Sequence, residues 1–583
     1  MNPTKFFPRA LRVPALVALT VALWTLSMPG PNLSGAAWFF AVPFALWAAR
    51  RPAWKTWLAA SWAACFLAGV VNLVWLRHLY PPLGWVALLL LPLAYTAFPW
   101  LWFVALRFVM PRCTGERAFP SRVVDLLGLT GLWLVLEWML TWFLTGFPWM
   151  PIGATQWDFP AALALCRFAG TPAASATVIF FNLGLARYLR RQFVEARVAP
   201  ASPSPFGFLR TFCPEFYLAL APVFASVVVF AYSCVEYDRG AEKKFSFAAV
   251  QTDFDPNAKW DARRVSENLR VLETLTLAAP TLSRERPVAT FPQAESALAA
   301  ERKRRAEGGK RLATDLDFVL WPEAAMPVFP LEKSDANGFA AFLKGLAREA
   351  GTALVVGAVA PAETAGGAAA DAYHNSVHVV DPRFGLADAF AAKRHLVPFG
   401  EYVPLADVLP LRKVVPVASD CVPGASAEPL LVRSRENRVL RLGALVCYED
   451  VFPELGRECV AAGAEALVVV TNDAWYGREA GAHQHMAHSV MQAVSLGVPV
   501  VRCGNAGWSG VISPIGQIQP MTDAAGSIYF RGVGRFDVYG RRAASPTFYA
   551  LHGDWLVLVG AAFFALSALA RLLRRSLAER NPR

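Results

Sequence analysis

Three residues of this chain carry the side chains that thiol-based acyl transfer requires: Glu323, Lys393 and Cys447. A carboxylate can take the proton of a thiol and later deprotonate an attacking amine or water, and an ammonium group can stabilise an oxyanion at the acyl carbon. Because a free cysteine has a pKa of roughly 8.5, a nucleophilic Cys447 needs such a base and cation to become a thiolate at neutral pH.

Each of these residues follows an apolar run with strand propensity, and Cys447 stands where a helix could begin. Taken singly, Cys447 is typical of a small buried hydrophobe, and a Glu or Lys at a strand end is typical of solvated surface. The combination of the three residues favours a catalytic site, because a strand-to-helix turn exposes the thiol and adds the backbone N–H of Tyr448 as a hydrogen-bond donor to an oxyanion. The runs are 318–322, 389–392 and 442–446.

The part of the chain around these residues, about 236–554, predicts an extracytoplasmic α+β domain. Short β-prone runs alternate with helical stretches, as in a layered sheet-and-helix enzyme fold. The expected helices are 337–350, 453–462 and 483–496. The expected strands are 245–251, 317–321, 353–359, 375–380, 439–446, 466–471 and 500–503.

The interval 278–315 differs from the rest of this domain, because it is rich in Ala, Glu, Arg and Lys and has a Gly308-Gly309 break. We interpret it as an insertion that forms a mobile helix or loop, such as a lid or a membrane-contacting arm. A solvated charged face is the alternative that its charge pattern favours.

The composition indicates a polytopic α-helical membrane protein. Hydrophobic residues make up 55% of the 583 residues and charged residues 17%, with 20 Trp and 40 Phe. Seven apolar spans are predicted within 1–235, and an eighth within 555–583 is followed by a basic tail. The spans are 13–28, 34–49, 57–75, 83–109, 123–147, 161–185, 211–234 and 555–573. Seven further spans make the first a retained anchor rather than a cleaved signal peptide.

The loop charges predict the orientation of these spans. If the spans alternate in direction, one side of the membrane has the basic clusters at 5–12, 50–55, 112–122, 187–210 and 571–583. The loops on the opposite side, 29–33, 77–82 and 146–160, contain Arg77 as their only Lys or Arg residue. By the positive-inside rule both termini are cytoplasmic. The net charge of +12 is explained in the same way, and since no nucleic-acid motif is present we expect no nucleic-acid partner.

The cysteines and histidines predict no metal site. The nine cysteines include no CxxC pair, although Cys421 could form a bridge with Cys459 or Cys503 in an oxidising compartment. His483 and His485 form a His-x-His pair at an expected helix start, without an evident third ligand. A structural or substrate-loop role is favoured for them.

The segments that carry the three residues resemble the Glu-Lys-Cys triad of the nitrilase superfamily, in order and in spacing. Similarity to the apolipoprotein N-acyltransferase family is more specific and extends over essentially the whole chain. It rests on Trp-Pro-Glu-Ala-Ala-Met-Pro at 321–327, Phe-Gly-Glu-Tyr-Val-Pro at 399–404, Cys-Tyr-Glu-Asp-Val-Phe-Pro-Glu at 447–454, Thr-Asn-Asp-Ala-Trp-Tyr-Gly at 471–477, His-Gln-His at 483–485 and Gly-Phe-Pro-Trp at 146–149 followed by Gln156.

This resemblance implies a four-layer αββα sandwich attached to about eight transmembrane helices in a bacterial inner membrane. Glu323 would be the general base, Lys393 the oxyanion stabiliser and Cys447 the nucleophile. The remaining implied site residues are Glu401 near the triad, Tyr448 and Glu449 after the nucleophile, and Trp149, which lines a lipid entrance or belongs to an interfacial aromatic belt.

The implied reaction transfers an acyl chain from a phospholipid to the cysteine, and then to the α-amino group of a diacylglyceryl-modified N-terminal cysteine. No metal or cofactor is required, and a monomer is expected. An enzyme whose donor and acceptor both reside in lipid gains from a membrane anchor.

Two features depart from the family pattern: the 278–315 insertion, and Cys503 with Trp508 in the segment 502–509.

Two other functions stay open. A membrane-tethered amidase or nitrilase would use the same triad with water as the second nucleophile. A non-catalytic binding protein is disfavoured because all three triad residues are present.

Overall fold

A computed structural model of the chain divides into two compact units, Met1–Ser233 with His552–Arg583, and Cys234–Leu551. It describes residues 12–79, 83–114, 116–195, 212–239, 243–310, 312, 314–327, 330–331, 336–362, 372–406, 408, 410, 412, 421–540 and 546–580. Five of the basic residues used for the orientation fall outside these ranges: Lys5, Arg9, Arg197, Arg210 and Arg583.

The first unit is helical. Its chain ends in a long helix, Trp555–Arg580. The earlier helices are α1 Arg12–Ser27, α2 Val42–Ala48, α3 Trp54–Asn72, α4 Leu83–Val109, α5 Phe119–Met139, α6 Pro160–Leu163, α7 Cys166–Ala169, α8 Thr171–Arg190 and α9 Pro214–Arg239.

Five helices are long and apolar enough to cross a membrane within the described part of the chain. A sixth span results if the pair Pro160–Ala169 and Thr171–Glu195, bent by 120°, is counted as one. The first two predicted spans correspond to shorter apolar helices, Arg12–Ser27 and Ser34–Ala48. The membrane character is therefore supported, and the count of eight spans stays a prediction.

Small residues set the closest helix packing in this unit. A Cβ atom added to Gly131 of α5 would lie 2.0 Å from the carbonyl oxygen of Gly560, and one added to Gly128 would lie 2.9 Å from Cβ of Ser567. These contacts show that α5 and the C-terminal helix touch through their backbones, an arrangement that membrane helices favour.

The described residues of the second unit form two sheets and six further helices. The helices are α10 Val265–Ala278, α11 Phe291–Ala306, α12 Phe339–Ala350, α13 Pro453–Ala461, α14 Ala480–Leu496 and α15 Phe548–His552. The strands are β1 Lys243–Gln251, β2 Val288–Thr290, β3 Phe318–Leu320, β4 Ala353–Pro361, β5 Tyr373–Asp381, β6 Gly385–Ala392, β7 Leu430–Arg433, β8 Val439–Val446, β9 Ala466–Thr471, β10 Val500–Gly504, β11 Gly510–Ile512, β12 Ile518–Pro520 and β13 Gly532–Gly540.

The seven-stranded sheet has the order β2-β13-β1-β3-β4-β5-β6, and the six-stranded sheet has the order β12-β11-β10-β9-β8-β7. Alternate residues of β1 divide between two cores. Phe245 and Phe247 pack with β8 and β9 residues between the sheets, whereas Ala248 and Val250 pack with α10, α11 and α12. On the other side, Gly443 of β8 faces Cys459 of α13. The layers are helix, sheet, sheet and helix, as expected for a nitrilase-like αββα sandwich.

The interval 278–315 contributes a strand and a helix to this sandwich, and its interpretation as an insertion stays a prediction. Its strand β2 pairs with β13 at the edge of the seven-stranded sheet. A capping box between Thr290 and Gln293 begins α11, whose Ala294 and Leu298 lie in the helix-side core. Arg302 and Lys303 of α11 are exposed, as the alternative interpretation of a solvated charged face expected, whereas Glu301 is buried.

Candidate active site

Cys447 stands at the carboxyl end of β8, where the strand gives way to a 3₁₀ turn, Cys447–Val451. Its backbone φ is +53°, a left-handed conformation that costs a non-glycine residue roughly 1–2 kcal/mol. Only 8% of the residue is exposed. The thiol is therefore presented on a tight, strained turn and must be held there by its neighbours.

Glu449 holds this turn against the segment that follows Lys393. Its buried carboxylate accepts hydrogen bonds from the backbone N–H of Val446 (2.8 Å), Arg394 (2.6 Å) and His395 (3.0 Å). Burial raises the pKa of Glu449, although these N–H donors and the charge of Arg394 oppose the rise. Glu449 is thus a positioning residue that joins the nucleophile turn to the lysine segment.

Lys393 follows the last residue of β6 and is almost completely buried. Its Nζ lies 2.8 Å from each carboxylate oxygen of Glu401. Burial alone would lower the pKa of Lys393, but the negative charges of Glu401, Cys447 and Glu323 outweigh burial and raise it. The lysine is therefore a permanent cation, and Glu401 is its fixed partner.

Glu323 begins the turn after β3, which comes very close to β4. A Cβ atom on Gly357 would lie 2.3 Å from the Pro322 carbonyl oxygen, so only glycine fits there. Asn375 of β5 donates from Nδ2 to Glu323 Oε1 (2.7 Å) and to Glu401 Oε1 (3.1 Å). One amide thus aligns both carboxylates of the site.

The Cys447 thiol rests in its neutral form. Burial raises the pKa of Cys447 most, and the charge of Glu323 adds to the rise, while Lys393 and a hydrogen bond from Thr471 oppose it. Formation of the thiolate therefore requires transfer of the proton to a base, and Glu323 is the carboxylate that interacts most strongly with the thiol. The structure brings Glu323, Lys393 and Cys447 close enough to interact electrostatically, and their catalytic roles stay a prediction.

Behind the nucleophile lies a fully buried charge cluster, which we define as Asp450, Asp473, His485 and Arg502. His485 Nε2 lies 3.0 Å from the carbonyl oxygen of Cys447 and 2.8 Å from Asp450 Oδ1, and Nδ1 lies 2.8 Å from Asp473 Oδ1. Arg502 reaches both aspartates, at 2.6 and 3.2 Å. This cluster supports the backbone of the nucleophile, so His485 has a structural role.

The disulfide bridge of Cys421 that the sequence left open is not observed. Among the described residues, no group of three or more His, Cys, Asp or Glu side chains is arranged to hold a metal ion. All nine cysteines are described and free, so Cys421, Cys459 and Cys503 are unbridged.

Tyr448 follows the nucleophile, and its buried ring contacts the rings of His395 and Phe452, with centroids 6.0 and 5.0 Å away. Trp149 belongs to the helical unit, where it is buried between Trp75 and Phe147. Its role at a lipid entrance therefore stays a proposal.

Sequence reasoning missed two polar residues of the site, Asn375 and Lys259. Asn375 stands near the start of a strand with no distinguishing motif. Lys259 lies in a 3₁₀ turn after β1, and its Nζ donates to the backbone carbonyl of Glu323 over 2.7 Å. Both lie in polar stretches, 253–264 and 372–376, in which neither residue stands out from its neighbours.

Comparisons with known proteins agree with this architecture. The family model described as carbon-nitrogen hydrolase matches residues 282–527, and the apolipoprotein N-acyltransferase N-terminal domain model matches residues 21–184. Fold and site thus define a carbon-nitrogen hydrolase domain in a chain with membrane-type helices.

The apolipoprotein N-acyltransferase of Geobacter metallireducens is 30% identical over 569 residues, which cover 95% of both chains. That of Azotobacter vinelandii is 30% identical over 74% of this chain and 70% of its own. The protein therefore belongs to the apolipoprotein N-acyltransferase family.

A crystallised amidase from Nesterenkonia sp. is 19% identical over 53% of this chain and 96% of its own, with a TM-score of 0.32. At that score the superposition says nothing about activity.

Proposed function

We propose that this protein is an N-acyltransferase of lipoprotein maturation, with Glu323, Lys393 and Cys447 as its catalytic triad. It would move a fatty acyl chain from a phospholipid, through a Cys447 thioester, to the α-amino group of the N-terminal diacylglyceryl-cysteine of an apolipoprotein. The observation that carries the proposal is a buried thiol with a carboxylate and a paired lysine beside it, in a chain that aligns almost end to end with a relative of that name.

In the first half-reaction, Glu323 takes the proton of the Cys447 thiol, and the thiolate attacks the ester carbonyl of the phospholipid. Lys393 Nζ and the backbone N–H of Tyr448 stabilise the oxyanion. The C–O ester bond then breaks, the departing lysophospholipid oxygen receives the proton from Glu323, and the acyl group stays on sulfur as a thioester.

In the second half-reaction, the α-amino group of the acceptor attacks the thioester carbonyl. An α-amino group has a pKa of roughly 7.7–8, so a carboxylate is a sufficient base for the proton that this nitrogen loses. The C–S bond breaks, the amide forms, and Glu323 returns its proton to the Cys447 sulfur. Glu401 keeps Lys393 in place through both steps.

The membrane character of the chain supports lipid-borne substrates over a small soluble amide. Five described helices have the length and hydropathy of membrane spans. We further propose a multi-pass protein of the bacterial inner membrane that acts as a monomer, with the catalytic domain outside the cytoplasm.

The intact mass of the full-length protein in detergent tests this function. After incubation with phosphatidylethanolamine vesicles, we expect an acyl-sized mass gain that hydroxylamine removes and that a diacylglyceryl lipopeptide discharges. Cys447→Ala should show no gain, because it lacks the nucleophile, and Glu323→Gln should acylate at least about 100-fold more slowly, because it lacks the base.

Cys459→Ala is the matched control, since Cys459 is also buried in the catalytic unit but lies on α13. It should acylate like the wild type. A wild type that gains no mass but hydrolyses a short-chain amide would refute the transferase and establish the tethered amidase.

A further inference from the structure

A second lysine lies at the triad. Only 3% of Lys259 is exposed, and its Nζ donates a hydrogen bond of 2.7 Å to the backbone carbonyl of Glu323. Its ammonium group also interacts electrostatically with the carboxylate of Glu323 and with the sulfur of Cys447. A buried lysine is rare unless its charge is compensated, so this position requires an explanation.

The turn that carries Lys259 is fixed on both sides. Asp255 accepts hydrogen bonds from the backbone N–H of Asn257 (2.9 Å) and Ala258 (2.8 Å), and its carbonyl accepts from Lys259 (3.0 Å). Just before it, the Asn505 side chain accepts from the backbone N–H of Phe254 (3.0 Å). The lysine is therefore held by its own turn and by Asn505, which follows β10, and is not a surface side chain folded inward.

Lys259 also fixes a strained part of the backbone. The residue after the general base, Ala324, has a φ of +40°, which is unfavourable for a residue with a Cβ atom. The carbonyl that Lys259 binds belongs to the residue immediately before it. A charged donor to that carbonyl keeps the turn, and with it the Glu323 side chain, in one orientation.

The charges of the site explain why a cation is needed here. The two carboxylates are Glu323 and Glu401, and Lys393 lies 2.8 Å from both oxygens of Glu401. With Lys393 alone, Glu323, Glu401 and Lys393 would together carry two negative charges and one positive charge before the thiol ionises. Lys259 balances these three side chains, and uncompensated buried charge is costly. The other two carboxylates near Cys447 have partners of their own, since Glu449 accepts from backbone N–H groups and Asp473 pairs with His485 and Arg502.

We propose that Lys259 is a positioning residue of acyl transfer, which fixes the backbone of Glu323 and, by its charge, compensates the negative charge that Glu323 and Cys447 bring to the site. This inference rests on the proposed roles of Glu323 and Cys447. The site thus contains two lysines with different tasks, since Lys393 serves the oxyanion and Lys259 serves the base.

The ionisation of Lys259 is consistent with this task. Burial lowers the pKa of Lys259 to about 8, while the negative charges of Glu323 and Cys447 oppose the fall. The ammonium form therefore predominates at neutral pH.

Two substitutions separate the charge from the hydrogen bond. Lys259→Gln keeps a donor for the Glu323 carbonyl but has no charge, and Lys259→Met has neither. The full-length proteins are alkylated with iodoacetamide between pH 5 and 8, and the rate at Cys447 is followed by peptide mass spectrometry. This readout needs no lipid substrate and so does not depend on transferase activity.

For both variants we expect the midpoint of the rise in alkylation rate to move upward by roughly one pH unit, because the thiolate of Cys447 loses the stabilising charge of the lysine. Lys259→Met should also be slower than Lys259→Gln at the plateau, because its Glu323 turn is no longer fixed. Lys303→Gln is the matched control, since 79% of that side chain is exposed, and it should keep the wild-type midpoint.

A Lys259→Gln protein with the wild-type midpoint would overturn the proposal, as would an equal shift in Lys303→Gln. If Lys259→Met does not fold, Lys259→Gln still decides the role of the charge. Failure of the wild type to gain acyl mass from phospholipid would instead count against the proposed function. The role of Lys259 is thus tested by alkylation, and the transferase function by the mass gain.

Discussion

His485 makes the support of the nucleophile sensitive to pH. Burial disfavours its charged form, but Asp450 and Asp473 outweigh burial and the opposing charge of Arg502, and raise the pKa of His485 to about 9. Because the folded-state pKa lies above the ordinary value of about 6.5, the stabilisation is fully present below pH 6.5 and is lost as the pH rises through 9.

We therefore expect the melting temperature of the full-length protein in detergent to fall between pH 6.5 and 9. In His485→Gln the melting temperature should already be lower at pH 6, and it should fall less over this range. The control variant is His374→Gln, since His374 is partly buried and its Nδ1 lies 2.8 Å from the carbonyl oxygen of Val422. Its melting temperature should fall with pH as steeply as that of the wild type. Parallel curves for wild type and His485→Gln would contradict this role.

At the scale of single residues, the sequence predicted the triad because each member follows an apolar run and matches a motif. Glu401 and Glu449 were predicted as supporting residues, and the structure adds their partners. Asn375 and Lys259 could not be predicted, because their roles depend on strands and turns that are distant in the sequence. Only the folded sheet brings them to Glu323.

At the scale of elements, the approach of β4 to the Glu323 turn gives a sharp prediction. A Cβ atom on Gly357 would lie 2.8 Å from Cα of Glu323, whereas one on Gly345 of α12 would have nothing within 4 Å. Gly357→Ala should destabilise the protein by about 1–3 kcal/mol through overpacking and slow acylation of Cys447, because the base is displaced.

Gly345→Ala is the matched control, and it should stabilise the protein by about 1 kcal/mol through helix propensity without changing the acylation rate. Thermal melts and the rate of acyl mass gain measure both effects. Equal acylation rates in the two variants would show that the contact with the Glu323 turn does not position the base.

Most central strands were predicted closely, and the bounds of β8 and β9 coincide with the prediction, because buried parallel strands form continuous apolar runs. The strands β2, β11 and β12 have only three residues each, too few for a recognisable period. The packing of the interval 278–315 could not be predicted, because the charged residues of α11 dominate its composition and few of its residues reach the core.

At the scale of the whole molecule, the loop charges predict that both chain ends are cytoplasmic and that residues 236–554 are outside the cytoplasm. A green fluorescent protein fused after Arg583 should therefore fluoresce in a bacterial host, because this reporter folds in the cytoplasm. Protease added to intact spheroplasts should cleave within 236–554 and leave the reporter whole. A fusion protein that does not fluoresce, or cleavage within 236–554 only after lysis, would show the opposite orientation.

Membrane character could be predicted from composition, but the shape of the spans could not. The predicted span 161–185 is a pair of helices bent by 120° at Gly170, whose φ is +67°, with Pro172 in the first turn of α8. Hydropathy counts apolar length and does not register such a bend.

The strand order also has a consequence for the biosynthesis of the enzyme. β13, the last strand of the catalytic unit, lies between β2 and β1, and β1 is the first strand. The seven-stranded sheet, whose strands β3 and β6 precede Glu323 and Lys393, is therefore incomplete until residue 540 has left the ribosome. A nascent chain contains Cys447 well before that point, so the thiol is translated early, and Glu323 and Lys393 reach their final sheet only when the domain is finished.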